Sequence, residues 1–131
     1  MSKFSCLCGN TITDQTNDLP YKGEYFADED YEESYGKFIR FVAALVESED
    51  QEERHTLLTS YFRNGYPLDI SVSSIISDAL TSIRVAFGHT LYECEQCGRL
   101  WLQYIPGTKA YVSYIPETEI RGVLRSRKKK T

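Results

Sequence analysis

The sequence predicts an α+β protein in which strands from both ends of the chain form a small antiparallel sheet, with a helical insertion packed against it. Apolar residues recur at steps of three and four across residues 27–87, which indicates about three amphipathic helices. After Gly88 the period changes to an alternation that is typical of strands. Two closely spaced cysteine pairs, one near each end, bracket the helical middle.

The N-terminal element is predicted as a short hairpin over residues 3–12. Gly9 and Asn10 follow the first cysteine pair and tolerate the positive φ that a tight turn needs. Residues 13–26 are rich in turn-forming residues and are predicted as a loop.

The first helix is predicted over residues 27–48. Acidic residues near its start complement the helix dipole. Gly36 lies inside it, where glycine costs about 1 kcal/mol relative to alanine, so close packing against a neighbour is expected there. The apolar stripe of this helix consists of Tyr31, Tyr35, Phe38, Val42, Leu45 and Val46, with Ile39 beside it.

Two further helices are predicted before Gly88. Ser48 and Gln51 resemble a capping box that opens the second helix, which ends at Asn64-Gly65. The third helix covers residues 72–87. The side chains expected to face inward are Leu57, Leu58, Tyr61 and Phe62 in the second helix, and Ile76, Leu80, Ile83 and Phe87 in the third.

Three strands are predicted after the helices, over residues 89–93, 100–105 and 110–115. We therefore expect a single domain over residues 1–124, with strand-forming halves at about 3–12 and 90–115. A disordered basic tail over residues 125–131 is expected to follow it.

Charge is unevenly distributed along the chain. Residues 1–120 hold all 19 acids and 9 bases, a net charge of −10, whereas residues 121–131 hold 6 bases. An acidic body repels nucleic acid phosphates and attracts basic partners. Acids also keep a protein soluble, and that alone accounts for most acidic proteins.

The sequence is expected to belong to a cytoplasmic protein. No apolar run approaches the length of about 20 residues that crosses a bilayer, and no apolar stretch follows Met1 as in a secretory signal. Cysteines in that compartment stay reduced.

The four cysteines form two short motifs, Cys6-x-Cys8-Gly and Cys94-x-x-Cys97-Gly. Such a turn presents two sulfurs to one ion, and zinc takes four soft ligands in a tetrahedron. We therefore predict one structural zinc ion held by all four, whose closed shell leaves no position for water or substrate. The alternatives are buried thiols, disulfides, which a reducing compartment disfavours, and a redox pair, which the missing βαβ pattern disfavours.

The second motif, Cys94-Glu95-Gln96-Cys97-Gly98-Arg99, closely resembles the knuckle of the zinc ribbon family and is likewise flanked by predicted strands. The first motif is one residue shorter than that knuckle. The resemblance covers about residues 3–12 and 90–115. It implies a ribbon split by a helical insertion, with the metal closing a long loop and so stabilising the fold.

No catalytic motif is visible, and we expect a non-enzymatic protein. His55 and His89 lack the His-x-Glu pattern of zinc deaminases, and each is expected to be a solvated or a core histidine and not a ligand. A phosphate loop, a Gly-x-Ser-x-Gly elbow and a His-Glu-x-x-His helix are absent from the sequence. The runs of consecutive acids are typical of a solvated face.

The first functional hypothesis is a protein-binding role. In size and charge the chain is similar to small bacterial immunity proteins and antitoxins, without matching a specific family. An acidic surface bearing tyrosines can occupy the basic cleft of a nuclease toxin. Tyr21 and Tyr25 are further candidate anchors. The candidate partner-binding residues are Asp28, Glu29, Asp30, Tyr31, Glu32, Glu33, Tyr35, Glu49, Asp50, Glu52 and Glu53.

Two other hypotheses remain open. A zinc-ribbon, transcription-associated factor could bind nucleic acid through Arg99, Trp101, Tyr104 and Lys109 together with the basic tail. The acidic body argues against nucleic acid as the partner. A stand-alone factor with no ligand besides zinc is the third hypothesis. The sequence leaves the partner and the oligomeric state open.

Overall fold

A computed structural model describes residues 2–128 and contains three α-helices and two antiparallel sheets, which confirms the predicted α+β class. Its internal contacts divide the chain into two compact units. The sheet unit comprises the chain up to Tyr25 and from Gly88 onward, and the helical unit is Phe26–Phe87. These boundaries lie within one residue of the predicted ends of the helical middle.

The described part of the sheet unit forms six strands in two sheets. Strands β1 (Ser2–Ser5) and β2 (Thr11–Asp14) form an antiparallel hairpin of their own, in which Phe4 lies opposite Ile12. The second sheet has four antiparallel strands in the order β3-β4-β5-β6. These strands are β3 (Lys22–Tyr25), β4 (His89–Glu93), β5 (Leu100–Gln103) and β6 (Tyr111–Tyr114).

Strand β3 lies within residues 13–26, which the sequence predicts as a loop, so that prediction is wrong over Lys22–Tyr25. Lys22–Tyr25 pairs along its whole length with β4, and Gly23 lies opposite Leu91. Lys-Gly-Glu-Tyr carries little strand propensity of its own. Pairing with a neighbouring strand, which a local pattern does not reveal, decides the conformation here.

Aromatic rings hold the hairpin against the four-stranded sheet. The Phe4 ring lies 5.5 Å from the rings of Tyr92 and Trp101, centroid to centroid, and 5.9 Å from that of Tyr111. Tyr92 and Trp101 are directly paired on β4 and β5, so their side chains share one face of the sheet. The buried residues of this cluster are Cys6, Ile12, Tyr92 and Cys94.

The chain beyond β6 packs back onto the sheet unit. The buried carboxylate of Glu93 accepts a hydrogen bond from the Gly122 backbone N–H at 2.9 Å. Arg125 forms an ion pair with Glu95 at 3.8 Å, and Arg127 donates to the Gly122 carbonyl at 2.8 Å. Of the predicted disordered tail, Lys129, Lys130 and Thr131 lie outside the described residues.

The helical unit contains α1 (Lys37–Glu47), α2 (Gln51–Tyr61) and α3 (Val72–Phe87), and α3 has the predicted bounds. The long first helix predicted from residue 27 is wound differently along its length. A 3-10 turn (Asp28–Asp30) and a π turn (Glu32–Gly36) precede α1. In the π turn the Gly36 N–H donates to the carbonyl of Tyr31, five residues back, at 2.9 Å. At Gly36 a Cβ would meet only the exposed carboxylate of Glu32 from the same turn, at 2.9 Å, so the close packing against a neighbouring element that the sequence predicts is not seen there.

The buried face of α1 agrees with the predicted stripe in part. Leu45 is buried, and Phe38 and Val42 pack against the core, as predicted. Phe41, which the stripe omitted, is buried on the same face, whereas Ile39 is 56% and Val46 73% exposed. The residues that form the buried core of this unit are Phe41, Leu45, Leu58, Tyr66, Ile75 and Ala79.

Two local predictions for the other helices also need correction. The cap of α2 is Asp50, whose carboxylate accepts the Glu53 N–H at 2.8 Å, and not Ser48, whose hydroxyl donates to the Leu45 carbonyl at the end of α1. On α3 the buried line includes Ile75 and Ala79 beside the predicted Ile83, while Leu80 is exposed. The small Ala79 side chain permits close helix packing. The prediction chose the larger apolar residue Leu80 for the buried face, and the smaller Ala79 lies there instead.

Candidate metal centre

The two cysteine turns meet in the sheet unit. The Sγ atoms of Cys6 and Cys97 lie 3.6 Å apart, and those of Cys8 and Cys94 lie 3.5 Å apart, although the partners are 91 and 86 positions apart in the chain. All four sulfurs lie within 4.8 Å of one another. The structure thus brings together all four of the predicted ligands.

The spacing of the sulfurs fits one metal ion. A regular tetrahedron with metal–sulfur bonds of about 2.3 Å has sulfur–sulfur edges of about 3.8 Å. Two of the six sulfur pairs, at 3.5 and 3.6 Å, lie near that edge length. They are far longer than a disulfide bond of about 2.05 Å, and all four cysteines are free thiols. Together they can hold one ion.

Both turns close by the same backbone pattern despite their different lengths. In the first turn the Cys6 N–H donates to the Asn10 carbonyl at 2.8 Å, and the Gly9 N–H donates to the Cys6 carbonyl at 2.9 Å. In the second turn Cys94 and Gly98 make the corresponding bonds, to the carbonyls of Arg99 and Cys94, both at 2.8 Å. Each glycine has a positive φ, +98° for Gly9 and +81° for Gly98. The missing residue in the first motif therefore leaves its turn intact.

Polar side chains approach the sulfurs from outside. The Asn10 Nδ2 donates to the Cys94 sulfur at 3.4 Å, and the Arg99 guanidinium donates to the Cys97 sulfur at 3.7 Å. Donors of this kind stabilise sulfur in its thiolate form, which is the form that binds a metal.

The indole of Trp101 supplies a further observation. Its Nε1–H is buried and has no hydrogen-bond acceptor of normal geometry within residues 2–128. The same indole helps to lower the pKa of Cys6, so it lies beside that sulfur. A deprotonated, metal-bound Cys6 sulfur would give this N–H the acceptor that it lacks.

The pKa values of two of the thiols are shifted in opposite directions. Burial, the largest single effect on Cys6, raises its pKa, but the Cys8 backbone N–H, Trp101 and the neighbouring thiols outweigh it and lower the pKa to about 6. For Cys8 the Asn10 backbone N–H lowers the pKa, but burial and the three other cysteines raise it to about 11. A metal binds cysteine as the thiolate, so binding by all four sulfurs must displace the protons that they carry.

The predicted partner-binding acids lie on the helical unit and are mostly exposed. Glu32 and Glu33 form ion pairs with Arg40 at 3.0 Å and Lys37 at 4.0 Å. Tyr31 is 53% exposed. Of the other candidates, Asp28, Glu29, Glu49, Asp50, Glu52 and Glu53 are exposed, and Asp30 and Tyr35 are half-buried.

Two of the tyrosines expected as anchors belong to the sheet unit instead. The Tyr21 hydroxyl donates to the Thr13 carbonyl, and its ring packs in the buried cluster beside the cysteines. Tyr25 stacks on His89 with ring centroids 4.4 Å apart. Tyr25 lies on strand β3 and Tyr21 directly precedes it, and the sequence did not predict this strand. Both rings therefore pack within the sheet unit. Of the two alternatives expected for His89, the structure shows a core histidine, which is buried with its Nδ1 2.8 Å from the Gln103 carbonyl.

The residues expected to form a basic-aromatic patch are divided. Trp101 and Lys109 line one groove of the sheet unit. Arg99 lies at the Cys97 sulfur and Tyr104 is outside that groove. Asn10 was not predicted from the sequence as a donor to the Cys94 sulfur. Its position directly after Gly9, at the end of the first cysteine turn, was the one feature that could have indicated this.

The fold and the cysteine cluster define a small α+β protein in which two distant cysteine turns meet at one candidate metal site. The chain belongs to the family described as domain of unknown function DUF8617, whose model matches residues 2–118. A search of curated proteins and a search of solved structures gave no match. Within residues 2–128, no helix is long and apolar enough to span a membrane.

Proposed function

We propose that this protein is a non-enzymatic cytoplasmic module that is stabilised by a structural zinc ion and binds a basic protein through the acidic surface of its helical unit. Four sulfur ligands in a tetrahedron are typical of zinc or iron sites, and zinc is the usual ion where such a site closes two turns in a small domain. Four protein ligands fill the shell, so the ion would hold the turns together without binding a substrate.

The observation that carries the binding role is the separation of charge between the two units. The helical unit contains 12 acids and 5 bases, a net charge of −7, whereas the sheet unit contains 7 acids and 10 bases, a net charge of +3. The acidity of the chain is therefore concentrated on one unit. A surface of one sign attracts partners of the other and steers their approach.

Several of these acids are free to meet a partner. Within residues 2–128, Asp28, Glu29 and Glu52 are exposed and form no ion pair. Tyr31 adds an exposed ring next to the first group. Tyrosine beside unpaired acids combines apolar area with charge, which suits recognition of a basic cleft.

A nuclease toxin is the partner class that this surface fits best. Such an enzyme carries a basic cleft for nucleic acid, and an acidic inhibitor can be steered to it at up to about 10⁸–10⁹ M⁻¹s⁻¹ at low salt. We therefore infer an immunity or antitoxin role. The inhibitor would occupy the cleft and exclude the nucleic acid.

Affinity purification from the source cell tests this proposal. The wild-type protein is compared with a Glu29→Lys, Glu52→Lys double variant and with a Glu117→Lys, Glu119→Lys control, which makes the same charge change at exposed acids of the sheet unit. We expect a basic protein to be retained by wild type and control, released by salt, and lost from the double variant. Recovery of no basic protein, or equal recovery by all three baits, would contradict the proposal.

A further inference from the structure

A groove in the sheet unit lies beside the cysteine centre and shares Trp101 with its surroundings. It encloses about 960 Å³, and no cysteine lines it. That volume is at the upper end of the range of about 300–1,000 Å³ for small-molecule sites. Its lining includes Lys3, Phe4, Asp14, Trp101, Lys109 and Tyr111.

The free charge of the groove is positive. Asp14 is compensated, because it forms an ion pair with Lys22 at 2.5 Å and accepts a hydrogen bond from the Tyr92 hydroxyl. Lys3 and Lys109 are exposed and form no ion pair within residues 2–128. Two uncompensated ammonium groups at one groove favour an anionic ligand.

The walls of the groove are aromatic. The side-chain amide of Gln103, which also lines it, is already hydrogen-bonded within the protein. Trp101 and Tyr111 are half-buried, so part of each ring surface is exposed. Gln103 accepts the Thr90 N–H at 2.9 Å and donates to the Thr108 carbonyl at 2.9 Å, so both ends of its amide are used. A ligand here would be recognised by ring stacking and by charge more than by hydrogen bonds from this amide.

We propose that this groove binds phosphorylated nucleosides, with the base against Trp101 or Tyr111 and the phosphate near Lys3 and Lys109. A planar base matches the aromatic walls, and a phosphate matches the two lysines. Free nucleotides and single-stranded nucleic acid share this chemistry. The site is independent of the acidic surface of the helical unit, so either proposal can fail without the other.

Tryptophan fluorescence reports directly on this site, because Trp101 is the single tryptophan of the chain and lines the groove. The full-length protein is titrated with adenosine monophosphate and, separately, with a short oligothymidylate. We expect quenching on binding. Lys109→Glu and Lys3→Glu should each weaken binding about tenfold and reduce its salt dependence, since each removes one phosphate contact.

Lys37→Glu is the matched control, because it makes the same charge change on the helical unit and should leave binding unchanged. The emission maximum of each unliganded variant shows whether the sheet unit remains folded. Quenching by the mononucleotide assigns the site to free nucleotides, and quenching by the oligonucleotide alone assigns it to single strands. Absence of quenching by both probes would overturn the proposal. So would oligonucleotide binding that survives both lysine substitutions and disappears when residues 125–130 are deleted.

Discussion

Replacing Cys94 by serine removes the most deeply buried sulfur of the metal centre. Cys94 is 0% exposed, faces the Cys8 sulfur at 3.5 Å and accepts a hydrogen bond from Asn10. Serine keeps the size of the side chain but offers a hard oxygen that is a poor ligand for zinc at neutral pH. We therefore expect the variant to lose most of its affinity for zinc.

The loss of folding stability in this variant depends on the length of the loop that the metal closes. Cys8 and Cys94 are 86 positions apart, and closing a loop of that length stabilises a fold by about 4–5 kcal/mol in the chain-entropy model. If the helical unit stays folded and acts as a short rigid segment, the effective loop is shorter and the figure falls to about 3–4 kcal/mol. Small domains have about 5–15 kcal/mol of stability in total. Loss of the metal should therefore remove a large part of the stability of the sheet unit.

The helical unit should respond differently, because its buried cluster contains no cysteine. Two probes separate the units in the full-length chain. Trp101 fluorescence reports the sheet unit, and far-ultraviolet circular dichroism reports mainly the helices. In Cys94→Ser, or in wild type with a zinc chelator, we expect the fluorescence transition to shift to much lower denaturant while most of the helical signal remains.

Leu7→Ser is the matched control. Leu7 lies between the two cysteines of the first turn and is 72% exposed, so this change should alter stability by less than about 0.5 kcal/mol. A Cys94→Ser protein with the wild-type fluorescence midpoint, or a chelator that leaves that midpoint unchanged, would refute the reasoning. Simultaneous loss of both signals would refute the separate response of the two units.

Three further predictions concern the helical unit. Asp50→Ala should destabilise it by about 1 kcal/mol in urea unfolding, because it removes the cap of α2; an equal loss in Ser48→Ala would contradict that assignment. Phe41→Ala should cost about 3–5 kcal/mol and Ile39→Ala less than about 0.5 kcal/mol, measured in the same way, and the reverse order would show that the buried face of α1 is wrong. Burial and a hydrogen bond to a carboxylate on α3 raise the pKa of Tyr66 from 10.0 to about 12. The stability that this pKa shift contributes is complete below pH 10 and is lost as pH rises toward about 12. The loss of stability at alkaline pH should therefore be smaller in Tyr66→Phe than in wild type. Identical pH profiles of the two proteins would contradict this.

The sequence was most informative where a local signal ends an element. Gly88 stops α3 at Phe87, and the two cysteine turns are visible because spacing and a following glycine are local properties. The meeting of the turns followed from the chemistry of the metal alone. Four sulfurs on one ion require proximity whatever lies between them.

The remaining features depend on contacts that no local pattern encodes. Strand β3 exists because it pairs with β4, and the apolar spacing does not indicate the π turn that precedes α1. The same holds around the sulfurs. Trp101 reaches the Cys6 sulfur only because the hairpin folds over the sheet, so its role was invisible from its place in the chain.

X-ray absorption at the zinc edge of the purified protein measures the proposed metal centre directly. We expect a single shell of four sulfur neighbours at about 2.3 Å from one zinc ion per chain. An oxygen or nitrogen atom in that shell would mean that the ion has an open or non-cysteine position. Iron in place of zinc, or protein without metal, would contradict the assignment of the ion itself.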